Sequence, residues 1–420
     1  MLVCKFYVKL FSSLRYRVSM SNDYNINFVI NTKNNNNNND NYNQYYGKSS
    51  IISSSSSSSY NNHHKIKFIV AGATGYIGRK VVEELVSRNI SCISLVRSID
   101  NISMKTMNCL NGSQIVLCNV LDYSEVHHIY DIYQPSITIC CLASRSGVKK
   151  DSWTVDYGGG MNLLHAQRSI SSTINEVGHY VLLSAFCCGK PLLQYQYAKL
   201  KLEEEIIQYS KLSLTTSSAL TSQSASSILT SQSSLSSSQS SITTSSQSQS
   251  LLTYSIVRPT AYFKSLDGQV ESASKGNPLL YFGKGDCSAN AIGDEDLAKY
   301  LVDCAIQPTI VNMINQCRDI GGPDNPPISK LEQLQLIYNS LEIPIDKRRY
   351  ISLPIEVIDS LIGLFTMMEF ISRKLNLKRF EEKCSDASEI ARIVRYYATE
   401  PMVAINEGDI DIYMERCMDG

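Results

Sequence analysis

Lys67-Phe68-Ile69-Val70-Ala71-Gly72-Ala73-Thr74-Gly75-Tyr76-Ile77-Gly78 is the stretch that decides the fold. Its first part is a short, mostly apolar run, as expected of a strand covered on both faces. Glycines at 72, 75 and 78 follow at once, and a helical pattern from Arg79 to Arg88 follows them. Glycines at this spacing make a tight turn and let the backbone approach a pyrophosphate. They also let the next helix aim its N-terminal amides at the negative charge. Strand, glycine turn and helix in that order separate a dinucleotide-binding turn from a merely structural one. Gly72, Thr74, Gly75, Tyr76, Ile77 and Gly78 are therefore the candidate cofactor cradle.

Outward from this turn the pattern alternates. Strand-like runs are expected at Ser91–Val96, Gln114–Cys118, Ile137–Leu142, Tyr180–Leu183 and Tyr254–Val257. Helical patterns lie between them at Ser124–Ile132, Tyr157–Ser169 and Leu193–Tyr209. Such alternation implies right-handed crossovers and an α/β fold with a doubly wound parallel (Rossmann) sheet. After Pro259 a smaller region of helices and loops is expected, with helical patterns at Asp294–Ile306, Ser329–Leu341, Ile355–Leu375 and Asp386–Tyr397. Ligands of such sheets sit at the carboxyl ends of the strands, and this second region would cover them.

The second strand run ends Leu95-Val96-Arg97-Ser98. An acid at this place would bind a ribose diol and select NAD. A guanidinium suits a 2′-phosphate instead, through bidentate charge-assisted contacts. Arg97 and Ser98 thus point to NADPH, the alternative being a solvated Arg at a strand end. Asn119 and Val120, past the third run, are expected near the adenine, and Ala143, past the fourth, joins the cofactor set.

Composition narrows the function classes. The chain has 420 residues, 39 basic and 39 acidic, and 43% are hydrophobic. That length can bury a real core, and the zero formal charge argues against a nucleic-acid partner. The 13 cysteines are scattered, with no Cys-x-x-Cys pair and no zinc spacing, so reduced thiols and no structural metal are expected. No run reaches the roughly 18 uncharged apolar residues of a membrane span.

Three segments stand outside the globular pattern. Met1–Asn22 carries Lys5, Lys9, Arg15 and Arg17 and no acid, as organelle import segments do; a plain tail is the alternative. Residues 1–64 are expected to be disordered, with an Asn/Ser tract from Asn25 to His64. Leu212–Gln249 is rich in Ser, Thr and Gln and is expected to be a disordered surface insertion in one domain, since loop-closure entropy grows slowly with length; an interdomain linker is the alternative. The expected units are residues 65–260, the dinucleotide domain, and 261–420, the substrate region.

Longer segments carry a family resemblance. Cys140-Cys141-Leu142-Ala143-Ser144-Arg145-Ser146-Gly147-Val148-Lys149-Lys150-Asp151-Ser152-Trp153 resembles the corresponding stretch of the divinyl chlorophyllide 8-vinyl-reductases, atypical short-chain dehydrogenases. Val181–Ala185, Lys190–Leu193, Ala198–Lys201, Ser255–Leu266, Ile320–Pro323 and Arg395–Ala398 do so too. The similarity runs from about Lys65 to about Met402, apart from the insertion. It implies a plastid enzyme of chlorophyll synthesis that reduces the 8-vinyl group of a divinyl chlorophyllide or protochlorophyllide to ethyl. Tyr195-Gln196-Tyr197-Ala198-Lys199 departs from it: the family keeps the Lys but tends to another aromatic first. Members are also expected to run somewhat longer than Gly420.

Tyr195 and Lys199, four apart on a helix, share a face. A nearby ammonium lowers a phenol's pKa and reaches the nicotinamide ribose. Ser184, at its strand end, would orient the same group. In a carbonyl reductase such a trio protonates an alkoxide; a vinyl group has no such oxygen. Hydride would add to the terminal vinyl carbon, and Tyr195, Lys199 or water would protonate the other. A flat tetrapyrrole needs an apolar, aromatic cleft. Tyr262, Phe263, Tyr396 and Tyr397 are candidates, each with core packing as the alternative. Arg258 would hold a substrate carboxylate or form a structural ion pair. Trp153 is undecided. The Pro354–Ile371 helix has an acidic stripe and is read as packed within the protein, with peripheral association to a thylakoid or envelope membrane as the alternative. Two other functions compete: a reductase of another conjugated alkene, and a non-catalytic NADPH-binding subunit or redox sensor. Retention of Tyr195 and Lys199 leans toward an enzyme.

Overall fold

The computed structural model describes Phe28–Val29 and residues 67–404, apart from 101, 175 and 227–251. The expected targeting segment, nearly all of the Asn/Ser tract and the second half of the insertion lie outside the described residues.

In chain order the strands that build the main sheet are β1 (Phe28–Val29), β2 (Phe68–Ala71), β3 (Cys92–Val96), β4 (Gln114–Leu117), β5 (Ile137–Cys140), β6 (Gly178–Leu183) and β7 (Leu252–Pro259). Between them run helices α1 (Gly78–Ser87), α2 (Met104–Leu110), α3 (Tyr123–Tyr133), α4 (Gly160–Ile174) and α5 (Gln194–Ser226). Beyond β7 come α6 (Asp267–Ser274), β8 (Leu279–Phe282), β9 (Ser288–Ala289), α7 (Asp294–Ile306), β10 (Gln316–Ile320), β11 (Ile328–Ser329), α8 (Lys330–Ser340), β12 (Tyr350–Leu353), α9 (Ile355–Lys374) and α10 (Lys378–Thr399).

The sheet has eight strands in the order β1-β4-β3-β2-β5-β6-β7-β10, every pairing parallel. The chain winds outward from β2 to β3 and β4, then returns to start β5 on the other side. The switch point thus lies between β2 and β5, where an open α/β sheet binds its ligand. Side chains along β2 alternate between two cores. Val70 joins α1 and α7 on one face, and Ile69 and Ala71 join α3, α4 and α5 on the other. Burial on both faces is why Phe68–Ala71 is an unbroken apolar run.

Local chemistry sets several helix ends. Asp122 accepts from the amides of Ser124 (2.9 Å) and Glu125 (3.4 Å) and starts α3. Ser329 and Glu332 form a capping box on α8.

Four features differ from the sequence expectations. The helical pattern expected from Tyr157 is preceded by a π-helical stretch, Ser152–Gly159, and α4 proper starts at Gly160. Helix α5 runs to Ser226, into the expected insertion; no Gly or Pro lies between 194 and 226 to stop it. The region after Pro259 is not only helices and loops. Its strand β10 pairs with β7 and extends the main sheet, and β8–β12 and β9–β11 form two small sheets. In β10, Gln316, Cys317, Arg318 and Asp319 precede the one apolar residue, Ile320, so an edge strand left little apolar signal. Phe28–Val29, inside the Asn/Ser tract, pairs with Ile115 and Val116.

Ten described cysteines are free thiols, and eight of these are buried. Burial alone pushes the Cys92 thiol up to about 12, so it is a small hydrophobe and not a nucleophile. Among the described residues no group of His, Cys, Asp and Glu is placed to hold a metal ion, and no helix is long and apolar enough to cross a membrane.

Candidate active site

The glycine turn connects β2 to α1 at the switch point. Gly72 has φ +77° and lies so close to β5 that a Cβ there would stand 2.5 Å from the Cys141 carbonyl oxygen. A Cβ on Gly78 would collide with the Gly72 carbonyl. The Gly75 amide donates to that same carbonyl at 2.8 Å, closing the turn. Gly72 and Gly78 therefore let turn, helix and strand meet, and Gly75 shapes the loop between. Ile77 caps α1 without a side-chain hydrogen bond, and no acid stands in the first turn. An anion at this helix end meets no competing side-chain cap and no acid from the first turn of α1 itself.

Tyr76, on the turn, meets Tyr262 edge to face at 6.0 Å between ring centroids. Lys264 lies over the Tyr76 ring at 5.2 Å, and Arg79 at 5.7 Å. Burial, and then the Asp294 carboxylate, push the Tyr76 phenol up to about 12, so it stays protonated. Tyr262 is thus brought to the cofactor turn. Phe263, its neighbour, is 48% exposed.

Arg97 and Ser98 are exposed at the end of β3. Ser98 bonds Asp100, its hydroxyl donating at 2.8 Å; among the described residues no ion pair engages Arg97. Asn119 anchors the loop after β4. Its amide donates to Glu125 at 2.8 Å and its side-chain oxygen accepts from Leu121. The Val120 carbonyl accepts from Asn162 at 2.9 Å, and Ala143 is exposed just past β5. All these residues lie at the carboxyl ends of β2 to β5.

Lys199 reaches the same rim from α5. Its ammonium donates to the carbonyls of Leu142 (2.6 Å) and Leu183 (3.1 Å), just past β5 and at the end of β6. It also pairs with Asp156 at 3.5 Å, both side chains being buried. Asp156 comes from the π-helical stretch and accepts from the Ser144 amide at 3.1 Å. One lysine thus ties together two strand ends, a π-helix and α5. Widened helices of this kind are frequent at functional sites.

The hydroxyls of the other two members of the expected trio have partners other than Lys199. The Tyr195 hydroxyl lies 3.0 Å from that of Tyr397, in an apolar cluster with Leu193, Ile393 and Tyr396. Ser184 is buried and donates to Glu203. Arg258 forms a fork with the same carboxylate, its Nε 3.1 and 3.2 Å from the two oxygens. Arg258 is therefore in a structural ion pair. Trp153 is 36% exposed and donates to Gln194 at 3.0 Å, on a groove of about 290 Å³ shared with Tyr197 and Leu200.

Two buried carboxylates at this end of the sheet escaped the sequence reading. Glu203 had a signal: it lies four residues past Lys199, on the same helix face. Asp156, a lone acid among Trp153–Gly160, had none beyond its isolation.

The chain matches the NAD dependent epimerase/dehydratase family over residues 68–213. Its fold is that of a UDP-glucose 4-epimerase from Thermotoga maritima, with TM-score 0.51 at 13% identity over 68% of this chain and 85% of that one. A dTDP-glucose 4,6-dehydratase from Bacillus anthracis gives TM-score 0.50 at 13% identity, over 68% of this chain and 84% of the other. Among curated proteins, the chloroplastic divinyl chlorophyllide a 8-vinyl-reductase of Cucumis sativus is 34% identical, over 80% of this chain and 69% of that protein. Its namesake from Arabidopsis thaliana is 32% identical, over 81% and 70%. At this identity and coverage the chain belongs to the divinyl chlorophyllide a 8-vinyl-reductase family.

Proposed function

We propose that this protein reduces the 8-vinyl group of divinyl chlorophyllide, or of the protochlorophyllide, to ethyl, with NADPH as reductant, in a plastid. The observation that carries the reading is the site at the switch point, in a chain whose named relatives are chloroplastic 8-vinyl-reductases. The residues fit a dinucleotide. Gly72, Gly75 and Gly78 leave room at the uncapped N-terminus of α1, and Thr74, Tyr76 and Ile77 complete the cradle. Arg97, exposed and without an ion pair among the described residues, supports NADPH over NADH through the charge of a 2′-phosphate. Held by these residues, a dinucleotide would supply the hydride, which the terminal vinyl carbon would take up.

The chain's own residues do the rest. Lys199, held by two carbonyls and Asp156, fixes a positive charge where the nicotinamide ribose would lie. Charge that develops on the conjugated macrocycle is stabilised by this fixed ammonium. A proton added to the inner vinyl carbon completes the ethyl group, and the Tyr195 hydroxyl, linked to Tyr397, is its donor in this reading. Ser184 and Arg258 are taken up by Glu203 and hold the floor of the site. That arrangement favours a vinyl over a carbonyl substrate: no alkoxide forms, so no serine need face one. Tyr262 and Phe263 offer an aromatic edge to the pigment beside the cofactor turn.

The test is an anaerobic incubation of the protein with NADPH and divinyl chlorophyllide, followed by pigment chromatography. A monovinyl product with NADPH and none with NADH supports the reading. Bound NADPH without product moves the assignment to another alkene, or to a binding subunit.

A further inference from the structure

We propose that the tip of the α9–α10 hairpin docks on an anionic lipid surface. The inference is independent of the reaction proposed above. Helices α9 and α10 pack against each other as an antiparallel pair, with Ile358 and Ser372 buried on one and Cys384 and Ser388 on the other. The outer side of the tip is apolar. Leu364, Met367, Phe370 and Ile371 on α9 are each 45–55% exposed, and Leu375 and Leu377 in the turn are 63% and 51% exposed. Soluble monomers rarely present so many large apolar side chains together unless something covers them.

A basic collar surrounds this patch. Arg373 is paired with Glu369 (3.0 Å) and Glu381 (2.8 Å). Among the described residues, Lys374, Lys378, Arg379 and Lys383 have no ion pair. The Lys374 ammonium sits over the Phe370 ring at 4.6 Å, so charge and apolar surface are interleaved. The other end of α9 is acidic, with Glu356 and an Asp359 paired to Arg395. The helix pair is thus polarised, cationic and apolar at its tip.

Charge selects the occupant. In a symmetric pair of these hairpins the same patch would face itself and set the two collars against each other. A bilayer with anionic lipids takes the apolar side chains among its acyl chains and the ammonium groups among its headgroups. The whole-helix pattern of α9, with its acidic stripe, obscures this in the sequence, because Glu356 and Asp359 lie at the base, Glu369 is taken up by Arg373, and Lys374 and Lys378 follow at the tip.

The experiment is sedimentation of the full chain with vesicles of phosphatidylcholine alone and of phosphatidylcholine mixed with phosphatidylglycerol. Binding is expected only to the mixed vesicles, and high salt should weaken it. Leu375→Asp with Leu377→Asp, and separately Lys374→Glu with Lys378→Glu and Arg379→Glu, should each lower the bound fraction more than about tenfold. All five side chains are on the surface, so circular dichroism and melting temperature should match the parent. No sedimentation with either vesicle, or binding that neither variant reduces, overturns the proposal. Concentration-dependent dimerisation abolished by the two Asp substitutions overturns it too, in favour of a second copy.

Discussion

The Lys199 ammonium and the Asp156 carboxylate form a buried ion pair 3.5 Å apart, between a standard helix and a π-helical one. Desolvating such a pair costs several kcal/mol, which its own attraction repays only with further hydrogen bonds. Those bonds are present: two carbonyls on the lysine and the Ser144 amide on the aspartate. The site end of the sheet is therefore built as one electrostatic unit.

If the pair is one unit, its two halves are not additive. Asp156→Asn and Lys199→Met should each cost about 3 kcal/mol in urea unfolding, since each strands a buried partner. The double variant should cost less than the sum by about 1–2 kcal/mol. Strict additivity would show that the two side chains act independently. In steady-state kinetics Asp156→Asn should raise KM for NADPH while leaving the fold measurable by circular dichroism. In the proposed reaction Asp156 acts through Lys199, as a positioning residue.

The three glycines of the turn should respond differently to one added carbon. Gly78→Ala pushes a Cβ into the Gly72 carbonyl, which is backbone and cannot swing away. A loss of about 3 kcal/mol is expected. At Gly75 the nearest atom to an added Cβ is that same oxygen at 3.0 Å, so Gly75→Ala should cost less than half as much in stability. Gly75→Val should still abolish NADPH binding by filling the approach to the pyrophosphate. Equal melting temperatures for the Gly78→Ala variant and the parent would contradict the packing.

Arg258 should prove structural. Removing it alone, as Arg258→Met, leaves Glu203 buried without its cation, at a cost of about 3–5 kcal/mol. Arg258→Met with Glu203→Leu should recover most of that loss. The double variant should also keep the parent's KM for pigment. A KM raised tenfold in a well-folded double variant would return Arg258 to the substrate site.

His179 gives the fold an acid limit. It is buried between β6, β7 and α7, near Thr253 (2.8 Å), Ser255 (3.1 Å) and the Cys304 carbonyl (3.1 Å). Burial lowers its pKa from 6.5 to about 4, against the smaller opposing effect of the Cys304 carbonyl. The unfolded chain therefore binds the proton first as pH falls. The stability from a neutral His179 is whole above about 6.5 and drains away between there and about 4. The loss is about 3 kcal/mol. Urea midpoints measured across that window should fall for the parent and fall less for His179→Gln.

The sheet was legible because its strands are buried on both faces, so β2, β3, β5 and β6 read as apolar runs closed by recognisable turns. The edge strand β10 was not, since Gln316, Cys317, Arg318 and Asp319 carry no apolar pattern and only its pairing with β7 makes it a strand. In the site, the glycine turn and Lys199 could be found from spacing. The Asp156 pair could not: it joins residues 43 apart through a π-helix, whose register differs from the 3.6-residue period used to read helices. Ser184 and Tyr195 were expected to join Lys199 in a trio, whereas their hydroxyls meet Glu203 and Tyr397.

The most direct measurement follows the hydride itself. The protein is incubated with divinyl chlorophyllide and NADPH carrying deuterium at the transferable position, and the pigment is analysed by mass spectrometry and proton NMR. The account predicts a monovinyl product with one deuterium, on the terminal carbon of the new ethyl group. A monovinyl product without label, or with the label on the inner carbon, would contradict it.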